Sequence, residues 1–183
     1  MAEIDALVTA YTRHVAIPWE PRLAGPQRVW FVVHEPRQER QVRAALERFQ
    51  QATELGGHGW VEIDLAGQFG AWLATQRYRT AYFREPGALT DRLGDFGTWL
   101  ADQLKPRLAN AADPDGTVVA LVGASSLFGL TSVSALEEAL APAIRGRLLV
   151  FFPGERIGSS YRFMGAGDGW NYLAIPITAT DGV

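Results

Sequence analysis

Cysteine is absent from the 183-residue chain. That excludes a disulfide scaffold, thiolate zinc sites and a cysteine nucleophile. Lysine is almost absent: sixteen of the seventeen basic residues are arginine, and Lys105 is the exception. The phosphate-cradling motif Gly-x-x-x-x-Gly-Lys-Ser/Thr does not occur. The first apolar run leads instead into His34-Glu35-Pro36, where a phosphate cradle needs glycines and free backbone N–H groups. Histidine is scarce too. His14, His34 and His58 fall in separate segments with no His-x-x-x-His pair, so neither a metal site nor a cofactor is expected, and His14 and His58 read as surface residues. No segment reaches the roughly 18 uninterrupted apolar residues of a membrane span. Met1 to Tyr11 carries Glu3 and Asp5 without a basic leader region, which reads as a cytoplasmic protein. A strong excess of one charge is also missing. At a net −3 no global field draws the chain to nucleic acid, and no direct nucleic-acid binding is expected.

Apolar residues make up 48% of the chain and charged residues 20%, the balance of a globular domain. Ile4, Leu7, Val8 and Tyr11 recur at helical spacing over residues 3–15, and Pro18, Pro21 and Pro26 then stop any helix and lay down an extended strap. Val29 to Val33 is a continuous β-branched and aromatic run, the pattern of a strand buried on both faces. A helix follows from Arg37 to about Leu55. Trp60 to Asp64 alternates as a second strand, and Leu65, Phe69, Trp72 and Leu73 suit a helix after it. Residues 77–90 are ambiguous, broken by Pro86 and Gly87. Asp91 to Leu108 reads as a longer helix, Thr117 to Val122 as a third strand, and Ser132 to Ile144 as a helix that Ser132 caps. Arg147 to Phe152 is a fourth strand, ended by Pro153-Gly154-Glu155. Tyr161 to Met164 and Tyr172 to Ile177 then form a final pair, with Gly165 to Gly169 as the turn between them.

Four alternations of strand and helix predict a three-layer α/β fold: a mainly parallel open sheet, Rossmann-like and of a degenerate nucleotide-binding type, with an antiparallel C-terminal edge. The chain divides into a helix and strap (1–27), a β/α core (28–155) and a C-terminal hairpin (156–183), all in one domain.

Ligands of such folds dock beyond the carboxyl ends of the strands. That rim would carry His34 and Glu35, Asp64, Ser125 and Ser126, and Glu155. Strand ends in this fold class also carry polar residues merely to cap helices and satisfy the backbone. A Ser125–His34–Asp64 triad is conceivable on one rim, but Leu127 replaces the second glycine of a nucleophile elbow and the chain order is wrong. No catalytic residue is assigned. Arg37, Arg40, Arg43 and Arg48 could touch phosphates, but they alternate with Glu39 and Glu47 as a solvated helix face does. Among the six tryptophans, Trp19 in the strap and Trp170 in the Gly-rich turn lie off the core stripes, where aromatics serve either as interface anchors or as lids over the core.

Leu149 to Glu155, followed by a Gly-rich turn and then Asn171-Tyr172-Leu173-Ala174-Ile175, resembles the BrxB family of bacterial BREX phage-exclusion systems. Trp30-Phe31-Val32-Val33-His34-x-Pro36-x-x-Glu39 is similar to that family's first strand and following helix start. Val119 to Gly123 with Ser125 to Gly129 is similar to its third strand and loop. The resemblance implies a non-catalytic interaction protein of a phage-defence system, partnered by other BREX components and foremost a PglZ-type protein. Trp19, Glu155, Trp170 and Asn171 are then the candidate partner-binding residues. The alternative is a nucleotide- or phosphate-binding enzyme or sensor that uses the rim.

Overall fold

The computed structural model describes residues 2–158, 160–165 and 173–182. Its strands are β1 (Val29–His34), β2 (Gly59–Asp64), β3 (Thr117–Val122), β4 (Arg147–Ile157), β5 (Ser160–Phe163) and β6 (Ile175–Ile177). The helices are α1 (Ala2–Val15), α2 (Glu39–Ala44), α3 (Leu46–Leu55), α4 (Gln68–Thr75), α5 (Arg79–Arg84), α6 (Leu93–Ala109) and α7 (Val133–Leu140). The sheet order is β2-β3-β4-β1-β6, parallel throughout, with β5 antiparallel to the far end of β4. The predicted α/β architecture, with its mainly parallel sheet between helical layers, is the one observed.

The continuous apolar runs follow from the two-residue period of a strand buried on both faces. Val29, Phe31, Val119, Leu121, Leu148, Val150 and Phe152 face one side, against Trp72, Phe96, Leu100, Leu136 and Leu140 of α4, α6 and α7. Trp30, Val32, Val118, Ala120, Val122, Leu149 and Phe151 face the other, against Leu7 and Tyr11 of α1, Val42 of α2 and Phe49 of α3. Each large side chain so buried stabilises the fold by about 1.5–3 kcal/mol. At the sheet edge, β2 keeps only Ile63 fully inside, which fits its mixed polar and apolar sequence. Ser132 caps α7, its Oγ accepting the Ala135 N–H at 3.0 Å.

The strap between α1 and β1 has carbonyls with no regular partners, and arginines supply the donors. Arg28 donates to the carbonyls of Pro21 and Leu23, each at 2.9 Å, and to that of Arg145 at 2.6 Å. Arg147 is buried at the start of β4 and donates to the Glu20 carbonyl at 3.3 Å. The guanidinium lies over Trp19, 4.6 Å from the ring centroid, while His58 stacks on Trp19 at 3.7 Å and His14 meets Trp30 edge-on at 4.6 Å. Two histidines read as surface residues thus pack into an aromatic clamp, because the strap folds back over the sheet.

Three segments differ from the sequence reading. The helix expected over 37–55 breaks at Ala45, whose N–H is shared between the carbonyls of Gln41 and Val42. Pro153-Gly154-Glu155 does not end β4, which continues to Ile157. Gly154 lies against the Arg162 carbonyl, where no Cβ would fit, and the Pro153 carbonyl accepts the Met164 N–H at 2.9 Å. The hairpin is therefore β4–β5. The last strand does not pair with β5, as expected, but joins the sheet beside β1 in parallel, Trp30 opposite Ile175. The predicted glycine turn lies, apart from Gly165, outside the described residues.

Candidate functional site

The loop after β1 turns at Pro36 and starts α2, which lays Glu39 and Arg43 on one face at i, i+4. That face lies across the carboxyl ends of β1, β2 and β3. Arg43 grips Asp64 at the end of β2 with two parallel bonds, Nη1 to Oδ2 at 2.9 Å and Nη2 to Oδ1 at 3.0 Å. Its Nε lies 3.3 Å from Glu39 Oε1. Asp64 Oδ1 also accepts the Ala66 N–H at 2.8 Å. Such a fork-to-fork pair is the strongest geometry available to an arginine and a carboxylate. The Arg43 guanidinium beside it holds the Asp64 carboxyl below its usual range, and Asp64 in turn raises Arg43. Gly123, which follows β3 at φ +76°, is needed twice over. Its backbone is left-handed, and a Cβ there would run into the guanidinium and lie 2.9 Å from Asp64 Oδ1.

His34 turns inward at the end of β1, and its side chain is fully buried. Nδ1 lies 2.9 Å from the Glu35 carbonyl, an acceptor, so Nδ1 carries the proton and donates it. Nε2 then points at Glu39 Oε2, 3.7 Å away. Nε2 and both Glu39 oxygens are buried without hydrogen-bond partners. A bare imidazole nitrogen facing a carboxylate is unfavourable, and a proton or a polar ligand atom between them relieves it. Burial lowers the His34 pKa more than the Glu35 carbonyl and the Glu39 charge raise it.

The predicted rim is only partly assembled. His34 and Asp64 belong to one cluster, joined through Glu39 and Arg43. Glu35 is exposed and pairs with Arg37. Ser126 donates to the Gly123 carbonyl at 2.8 Å, closing its own turn, and Ser125 is half-buried beside it. Glu155 is carried off the rim by the β4–β5 hairpin, where it pairs with Arg162 at 3.2 Å. The Ser125–His34–Asp64 triad does not form, because Asp64 is bound to Arg43 and His34 to the Glu35 carbonyl. Of the partner-binding candidates, Glu155 is exposed. Trp19 is half-buried in the aromatic clamp, and Trp170 and Asn171 lie outside the described residues. Glu39 was not among the rim residues expected from the sequence, and Arg43 appeared there only as part of a solvated basic face. The signal that joins them to the rim is their four-residue spacing directly after a strand end. Among the described residues no three His, Asp or Glu side chains cluster as metal ligands, and no helix is long and apolar enough to cross a membrane.

Comparisons with known proteins return no matching family model, no matching curated protein and no matching solved structure.

Proposed function

We propose that this chain is a non-catalytic component of a bacterial phage-defence system of the BREX type, an assembly protein that docks in the cytoplasm onto another component, a PglZ-type protein foremost. The observation that carries the reading is the β4–β5 hairpin. The Pro153-Gly154-Glu155 stretch, part of one of the segments that carry the BrxB resemblance, is the base of a two-stranded ribbon. Its paired register with β1 ends at Pro153, opposite His34, and the strand runs on to Ile157. Glu155, Arg156 and Ile157 are exposed there, and half of Ile157's surface is open to solvent. An exposed apolar residue next to Glu155 and Arg156 on this ribbon suits an interface anchor with a polar rim.

The test is co-expression with the PglZ-type protein of the same operon, followed by size-exclusion chromatography with light scattering. Co-elution at fixed stoichiometry is expected. Glu155→Ala combined with Ile157→Asp should weaken it while leaving Tm within a few degrees of the parent. Separate elution of the unsubstituted proteins overturns the assignment. The second reading is a phosphate or nucleotide ligand at the rim, favoured by the buried His34 Nε2 and Glu39 Oε2, which have no hydrogen-bond partner. It predicts that ligand at 100 times its Kd raises stability by about 2.7 kcal/mol.

A further inference from the structure

The excursion between α4 and α6 plays no part in the rim or the hairpin. Residues 77–84 read Arg-Tyr-Arg-Thr-Ala-Tyr-Phe-Arg: three arginines, three aromatics and no acidic residue in eight positions. None of the six helical residues of α5 is buried. Tyr78 is 60% exposed and Phe83 71%, two of the most open large apolar side chains among the described residues. Tyr82 alone packs inward, against the core beneath α4 and α6, and fixes the knob to the domain. The arginines have no carboxylate partners among the described residues. Arg77 lies over the Tyr78 ring, 5.5 Å from its centroid, and Arg79 donates to the Ala74 carbonyl at 3.0 Å.

We propose that this knob binds single-stranded nucleic acid. The expectation of no direct nucleic-acid binding rests on the whole-chain charge of −3, which does not describe a segment with three arginines in eight positions, even with Glu85 directly after it. Phosphates match guanidiniums that have no carboxylate partner, and the exposed rings of Phe83 and of Tyr78, one face of which Arg77 covers, match unstacked bases. A duplex would use the arginines but hides its base faces. A free phosphate would leave Tyr78 and Phe83 idle. A specific protein interface draws on roughly 20–30 residues a side, whereas a single-strand site needs as few as about 4 nucleotides, the scale that an eight-residue knob can serve. The inference stands apart from the proposed docking role, since it uses neither the hairpin nor a partner protein.

The test is fluorescence anisotropy with labelled dT20, a duplex of equal length and a polyglutamate peptide, at low and moderate salt. Unsubstituted protein should bind dT20 more tightly than the other two. The triple variant Arg77→Ala, Arg79→Ala, Arg84→Ala should lose about tenfold or more, and its log–log salt slope should become shallower by about 2. The double variant Tyr78→Ala, Phe83→Ala should lose about fivefold or more with the salt slope unchanged. Neither set removes a buried side chain, so Tm should hold in both. Absence of dT20 binding at 50 mM salt overturns the proposal. So does equal binding by the triple variant, duplex binding as tight as single-strand binding, or polyglutamate binding as tight as dT20, the last pointing to an acidic protein instead.

Discussion

Two surfaces of this protein carry arginines in similar number and meet opposite fates. On the α2–α3 side, Arg43 is held by Asp64 and Glu39, Arg48 lies 2.7 Å from Asp5 of α1, and Arg37 pairs with Glu35, which leaves exposed Arg40 as the one of the four with no carboxylate among the described residues. On the α5 knob, Arg77, Arg79 and Arg84 meet no carboxylate among the described residues. Underneath, the contrast repeats. The α2–α3 pair buries Val42 and Phe49 fully, while α5 packs only the half-buried Tyr82 against the core. A run of arginines therefore says little until the acids around it are placed. A packed helix with paired arginines is a structural wall. An unpacked one with free arginines and open aromatics has surface left for a ligand.

Five substitutions sharpen the contrast. The largest effect belongs to the packed side. Phe49 is fully buried, 4.9 Å from the Phe151 ring and 5.2 Å from Tyr11. Phe49→Ala should cost about 3–5 kcal/mol in urea denaturation, whereas Phe83→Ala should stay within about 0.5 kcal/mol. Equal losses at the two sites would erase the distinction. Next is Glu137 on α7, a buried carboxyl whose pKa burial and neighbouring Glu138 push up to about 7, from 4.5. The native state holds this proton more tightly than the unfolded chain. Stability from it is complete below the unfolded value and is lost as pH rises toward 7. Glu137→Gln should thus be neutral at pH 4 and stabilising at pH 8, by about 1–3 kcal/mol after allowance for solvent screening. A pH-independent effect would place the carboxyl in water. Smallest is Arg43→Ala, about 0.5–1 kcal/mol at neutral pH for a partly exposed pair. Asp64 has a lowered pKa, so this contribution exists above the unfolded carboxyl's pKa and fades as pH falls through the folded one. Variant and parent should converge in acid, and Arg84→Ala should differ from the parent at no pH.

The architecture was legible because burial on both faces writes itself into a strand as an unbroken apolar run. Val29 to Val33, Thr117 to Val122 and Arg147 to Phe152 all became parallel strands. The site was legible only in part. His34 and Asp64 sit at strand ends, as their neighbours' patterns imply, but whether a strand-end side chain faces ligand, core or its own turn depends on what the next helix brings over it. Arg43 closed one half of the rim and Gly123 made room for it. Glu155 left the rim because Pro-Gly, a common strand terminator, here sits where β4 continues and β5 pairs with it.

Local chemistry along the chain determined the strands, the helical faces, the strap that three prolines impose and the Ser132 cap, since each needs only neighbours within a few residues. Tertiary structure alone decided the partners. Asp64 meets Arg43 across 21 positions, Arg48 meets Asp5 across 43, and Arg147 reaches the Glu20 carbonyl across 127. The same tertiary packing left the arginines of α5 without a carboxylate among the described residues. Charge is a property of a residue, but its neutralisation belongs to whichever distant group the sheet order brings within about 4 Å, where the pairing energy lies.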